Sequence, residues 1–469
     1  MKKKILLATS TALLLAACSE SMNDLGEIAL DNAKPTDEKT VVLSPEELCL
    51  VQQIANKTPK ISPETAQETA MQLLGIQPQS SSLSKKMATQ VVCNKKQVYN
   101  SLTKSYKQED DTAFYVFNTP DDQGFAIVAA DVRVPNQVLA YSDNGNFDTD
   151  TDNPGIALFL EMAKEYVSEC IADAEAQEDS LSESICQKLG IKTNDNSNNG
   201  LRSKSKVEYI RCTTAGLPTY HIDNRGHLDP MLKTQWDQCL PYNTYCRGEY
   251  AGCGPIAVAQ IMAYWKFPRT LDNVTLNWNL ISNNASNDQI ATMISLVNKG
   301  MNTKDGITNT SSILKFLKKT NYSDQSKTKD YNYANVVNTM DLGRPVLMIG
   351  FRDDTPIGHV WVADGYVIRL VTTEQAYKYA IIETADDGTV TVRYEDIPST
   401  TVAKYELLHF NWGWGGRGDG YYDQKVFDTK RQMVENAYGE FMPMESDDIS
   451  SHKYYSRNLQ VVTDITPRY

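Results

Sequence analysis

AGCGPIAVAQIMAYWKFP, residues 251–268, is the stretch on which the fold turns. Gly252 and Gly254 let backbone approach closely, Pro255 suits a first helical turn, and Ile256, Ala259, Met262 and Ala263 recur at helical spacing. The pattern predicts a buried helix that must stop by Pro268. Cys253 stands at its N-terminal end, where free N–H groups and the helix dipole favour a thiolate. Taken alone, the same cysteine is equally a small buried side chain capping a core helix.

Two downstream segments change that balance. IGHVWVADGY, residues 357–366, places His359 at the start of an alternating β-branched and aromatic run, so a strand end should carry the imidazole. FNWGWGGRGDGYY, residues 410–422, sets two tryptophans among glycines and offers the Asn411 amide to the second N–H of a histidine. A thiol, an imidazole and an amide orienter are what cysteine nucleophilic catalysis requires. His221, His227, His409 and His452 show no spacing with carboxylates or cysteines that reads as a metal site, so no metal or other cofactor is expected.

With residues 233–238 (KTQWDQ), Pro241-Tyr242-Asn243, Ala259-Gln260-Ile261-Met262 and residues 411–416 (NWGWGG), these segments resemble the streptopain family of cysteine peptidases. Residues 124–148, GFAIVAADVRVPNQVLAYSDNGNFD, are similar to the inhibitory propeptide of that family. The resemblance implies an α+β chain: a papain-like catalytic domain with helical and antiparallel β parts, behind a small α+β propeptide domain. It implies Cys253 as nucleophile and His359 as general base and acid, with Gln238 donating its amide to the oxyanion. Asn411 would fix the imidazole tautomer and Trp412 would shield that bond. Trp414 is left as core or cleft wall. Protein or peptide substrates and the chain's own propeptide are the implied partners. Residues 423–452, charged and poor in glycine, depart from the glycine-rich loop usual near the end of such domains, which leaves substrate preference open.

Outward from this centre, Lys2, Lys3 and Lys4 precede an apolar run from Ile5, and Leu15-Ala16-Ala17-Cys18 looks like a bacterial lipoprotein box. Residues 1–18 are thus expected to be an export signal ending at a lipid-modified Cys18. That gives a membrane link through the lipid and a place at the cell envelope or surface. An ordinary signal with a chance cysteine is the alternative. Residues 19–40 are a polar tether. Ser44-Pro45-Glu46-Glu47 and Ser62-Pro63-Glu64 each predict a helix start, with Gly75 closing the second. Residues 113–118 and 124–130 read as a hairpin, and Asn153-Pro154-Gly155 opens an apolar helical stripe from Ile156 to Val167. Residues 41–190 therefore read as a small α+β domain, which the resemblance implies is the inhibitory propeptide. Residues 191–206, with KTNDNSNNGLRSKSK from 192, form a linker that composition makes either a plain spacer or a processing region. Residues 207–469 are the catalytic domain.

A net charge of −13 gives no basic surplus for nucleic acid. Of nine cysteines, setting aside Cys18 and Cys253 leaves an odd seven; Cys239 and Cys246 either bridge locally in an oxidising location or stay reduced. The competing readings are a catalytically inactive surface lipoprotein acting as a binding or inhibitory module, and an amide-cleaving or acyl-transferring enzyme that uses the same thiol and imidazole.

Overall fold

The computed structural model describes residues 40–74, 88–100, 105–190, 210–215, 217–323, 328–351, 358–384, 390–427, 433–435, 441–443, 453–454 and 458–468. The export signal with Cys18, most of the tether, Gly75, the 191–206 linker and His452 lie outside the described residues.

The N-terminal part opens with β1 (Val41–Val42) and α1 (Pro45–Asn56). The Ser44 hydroxyl accepts from the Glu47 amide at 3.2 Å and the Glu47 carboxylate accepts from the Ser44 amide at 2.7 Å, the reciprocal cap that the sequence predicts. Ser62 caps α2 (Pro63–Leu73) with its hydroxyl alone, accepting from the Thr65 amide at 3.2 Å. An antiparallel meander follows: β2 (Ala88–Asn100), β3 (Ser105–Asn118), β4 (Phe125–Ala129) and β5 (Val138–Ser142). The expected hairpin is its β3–β4 pair. The Asn153 side chain then caps α3 (Pro154–Lys188), which is 35 residues long and far outruns the apolar stripe. Past Val167 its turns are mostly Ala, Glu, Gln and Ser, held by propensity rather than by a buried face. Burial returns at Ser182, Ile185 and Cys186.

The C-terminal part has a helical half and a β half. After β6 (Arg211–Thr214) and β7 (Thr219–Leu228) comes α4 (Cys253–Trp265), buried at every position from Gly254 to Ala263. Around it pack α5 (Asn287–Gly300) and α6 (Thr310–Lys319), with Ile256, Met262, Met293, Ile294 and Phe316 in one core. The chain continues through α7 (Tyr333–Asp341), β8 (Val346–Phe351), β9 (Gly358–Thr384), β10 (Val390–Asn411), β11 (Gly420–Asp423) and β12 (Asn458–Val462). Side chains alternate across β9: Val360 and Val362 join the α4 core, while Trp361 and Ala363 join a second core on the opposite face.

That second core is shared between the two parts of the chain. It contains Phe114, Phe125, Ile156 and Phe159 from the N-terminal part together with Trp361, Phe410, Trp412 and Tyr422. The sheet is shared too. In the order β12, β8, β9, β10, β11, β5, β4, β3, β2, it passes from one part to the other where Tyr421 pairs with Tyr141 and Tyr422 with Ala140. The rings of Tyr141 and Tyr421 stack there at 5.2 Å. The helical and antiparallel halves behind an α+β segment agree with the architecture expected from sequence. A long arm was not foreseen: β9 and β10 stay paired from Tyr366–Leu408 out to Thr384–Val390, well past the core.

Candidate active site

The entry to α4 is fixed by backbone. Gly252 caps the helix at φ 94°, and a Cβ there would lie 2.7 Å from the Gly306 carbonyl oxygen, so no side chain fits. The Ala251 amide donates to the Gln238 carbonyl at 2.8 Å, and Asn298 Nδ2 donates to the Ala251 carbonyl at 2.8 Å. Gln238, itself buried, is thereby held two residues from Cys253 along a backbone ladder.

The Cys253 sulfur meets amides of Val360, Gly254 and Cys253 itself, which favour the thiolate; burial opposes them and prevails, so the thiol is pushed above its ordinary value. The amides at the helix start thus favour the thiolate, the direction expected of them, but in this form burial outweighs them. Desolvation by the packing around this half-buried cysteine outweighs a dipole of about half a charge.

His359 begins β9, as expected, and its imidazole lies beside Trp361 and Trp412. It stacks on Trp361 at 6.0 Å and 13°, faces the Trp412 ring at 6.0 Å, and holds Nε2 at 3.0 Å from the Trp412 carbonyl oxygen. Its Nδ1 has no hydrogen-bond partner. Burial pulls its proton affinity down to about 4, against a small opposing effect of the Trp412 carbonyl. The ring is neutral at pH 7. The sulfur thus meets the amide of the strand residue next to His359, and no hydrogen bond joins it to the imidazole, whose Nδ1 is unpartnered and whose Nε2 faces the Trp412 carbonyl.

What occupies the imidazole face is the start of α3. A Cβ on Gly155 would run into His359 Cδ2 and would lie 2.5 Å from Trp412 Cε3. One residue on, Ile156 Cδ1 fills the space beside Gly418, and Leu158 Cδ2 sits 2.6 Å from where a Gly350 Cβ would be. Only glycine lets the helix terminus close on the ring.

Asn411 does not orient the imidazole here. Its Oδ1 accepts from Gln260 Nε2 at 2.9 Å and from the Gly413 amide at 3.1 Å, and its Nδ2 donates to the Thr234 carbonyl at 2.8 Å. Both lone-pair directions are taken, and the Trp412 carbonyl holds the place expected of it. Trp412 is fully buried against the His359 ring, its amide donating to Asp419 at 2.8 Å and its indole N–H to the Tyr422 hydroxyl at 3.0 Å. Trp414 packs under the Arg417 guanidinium at 5.8 Å, near the segment that carries Gln238.

Sequence reasoning passed over Gln260. Seven residues after Cys253 on α4 and wholly buried, it accepts from Thr234 Oγ1 at 2.9 Å while donating to Asn411. It ties the cysteine helix, the loop leading to Gln238 and the turn at Trp412 into one network. The readable signal was a polar residue amid AVA and IMA on a buried helix, since such a group needs partners. Gly155 was noted only as part of a helix start; nothing local shows what its missing side chain makes room for.

Cys239 and Cys246 are both free thiols. Among the described residues, no group of three or more His, Cys, Asp or Glu side chains is placed to hold a metal ion, and no helix is long and apolar enough to cross a membrane.

Residues 58–167 match the family described as Spi protease inhibitor, and residues 228–402 match the Peptidase_C39 like family. A curated relative, the thiol protease/hemagglutinin PrtT of Porphyromonas gingivalis, is 23% identical over 359 residues, covering 67% of this chain and 34% of its own length. The chain thus spans about a third of that relative. Among solved structures, a fragment of prointerpain A from Prevotella intermedia aligns over 81% of this chain and all of its own, with 18% identity and a TM-score of 0.41. The active interpain A cysteine protease of the same organism covers 52% of this chain and 96% of its own, with 16% identity and a TM-score of 0.31.

Proposed function

We propose that this chain, a papain-like cysteine peptidase domain behind a Spi-type inhibitory segment, is an exported, lipid-anchored endopeptidase made as a latent precursor. The observation that carries the reading is the seat of Gly155 on His359 and Trp412, which holds the imidazole against the Trp412 carbonyl and out of hydrogen-bond contact with Cys253. With α3 withdrawn, nothing in the strand prevents His359 from turning to the sulfur. The ion pair would then replace burial as the dominant influence on both groups.

In that form the Cys253 sulfur attacks a peptide carbonyl, its proton passing to His359. The C–S bond forms as the oxyanion is held by the Cys253 amide and the Gln238 side chain. The C–N bond breaks as His359 protonates the departing amine. His359 then takes a proton from water, which adds to the thioester, and the C–S bond breaks to release the acid. Asn411 or the Trp412 carbonyl would receive the other imidazole N–H.

A side chain at Gly155 tests the latency. In an uncut precursor carrying Gly155→Leu, iodoacetamide should label Cys253 at least about tenfold faster than in the parent, because the helix terminus no longer seats. Equal labelling would mean that α3 does not control access. The run before Cys18 supports it as the lipid attachment site; labelled fatty acid incorporated equally into the parent and a Cys18→Ala protein would rule that out.

A further inference from the structure

The arm formed by the outer parts of β9 and β10 touches the N-terminal part of the chain far from Cys253. β1 pairs in parallel with β10, Val41 beside Ser399 and Val42 beside Thr400, and the Leu43 amide donates to the Thr400 carbonyl at 2.9 Å. Leu50, Val51 and Ile185 then meet Tyr377, Tyr379 and Ile397 in a separate small core. Cys212 of β6, itself paired with β9, directs its thiol to the Val51 carbonyl at 3.6 Å. Glu47 of α1, 4% exposed, accepts from Ser184 at 2.6 Å and from Lys188 at 2.5 Å, welding α1 to the far end of α3.

The lengths agree. From Gly155 to Ile185, α3 rises about 45 Å, and from His359 to Tyr377 a strand extends at most about 60 Å. One helix therefore reaches from the imidazole to the arm. The elements gripped by the arm, α1 and the end of α3, lie outside the 58–167 segment matched to the Spi inhibitor family.

We propose that the arm is a second docking surface for the N-terminal segment, one that keeps it bound after the 191–206 linker is cut. This rests on the peptidase reading for its consequence, which is that cutting and activation are separate events. The cut pieces stay associated and silent until the segment is degraded or displaced, and the arm's apolar face is then uncovered.

The test is a full precursor with a site for a specific protease placed within the linker, cut and passed over gel filtration at nanomolar concentration. In the Cys253→Ala background, the two pieces should co-elute. Leu50→Asp with Val51→Asp should weaken their association by on the order of 100-fold or more. Tyr377→Ser, which leaves the N-terminal segment untouched, should also weaken it if the loss is at the arm rather than in the folding of α1. With Cys253 present, cut parent should be silent on casein and cut Leu50→Asp/Val51→Asp active. Parent pieces that separate on cutting, or variants that hold together as tightly as the parent, would overturn the proposal. Co-elution without casein hydrolysis by any form would leave the docking surface standing and remove the peptidase reading.

Discussion

Replacing Cys253 by alanine lowers hydrolysis of unfolded protein by the processed chain by about 10⁴-fold or more, as expected when the only nucleophile of a cooperating set is removed. The reason lies in how the site divides its labour. The backbone amides at the start of α4 and the Gln238 amide can still bind an oxyanion, but no side chain remains to form the acyl intermediate. His359→Ala should cost nearly as much, and the double variant little more than either, because the two act as one unit. The same substitution should leave the precursor uncut when no other protease is present. A Cys253→Ala precursor that matured at the same position would refute self-processing, and near-parental hydrolysis would remove the peptidase assignment itself. Thiol reactivity gives an independent reading: in the uncut form the half-buried thiol, pushed above its ordinary value, should alkylate slowly, and removal of the N-terminal segment should speed it.

Much of this was legible because it is local. The Ser44 and Ser62 caps, the helix between Gly252 and Pro268, and the β3–β4 hairpin each follow from a few adjacent residues whose backbone preferences agree. The far half of α3 was not, because its burial at Ile185 is set by an arm some two hundred residues later in the chain. The site divides the same way. Chemistry-bearing types mark Cys253 and His359, but what packs on the imidazole depends on Gly155, a residue identified only by the absence of a side chain. For Asn411 the residue type fitted the expected role, while its hydrogen bonds in this form are taken by Gln260 and Thr234. Residue identity states what a group can bond to; only packing states what it does bond to.

Acid should loosen the latent form through His359. Its affinity for protons falls from the ordinary 6.5 to about 4 when the ring is enclosed between Trp361, Trp412 and Gly155. A released ring binds a proton that the seated ring refuses, so the seat's contribution is fully present above pH 6.5 and is lost as pH falls toward 4. The loss amounts to roughly 3 kcal/mol, or about a hundredfold in the equilibrium between seated and released imidazole. Two other buried groups act in the opposite sense. Burial raises Asp419 to about 7 and Asp423 to about 6, so their protonation favours the folded form as pH falls, and their contribution fades as pH rises through those values. A pH-stability curve of the parent alone would mix the three. The separating comparison is Cys253→Ala against Cys253→Ala/His359→Phe, in which phenylalanine keeps the ring stacked but cannot titrate. Between pH 7 and pH 4, thermal unfolding of the first should lose about 3 kcal/mol relative to the second, while the Asp419 and Asp423 effects cancel. Parallel curves would mean that His359 is not held neutral by its seat. A widening gap would make the same burial that silences the imidazole the point at which an acidic exterior begins to release it.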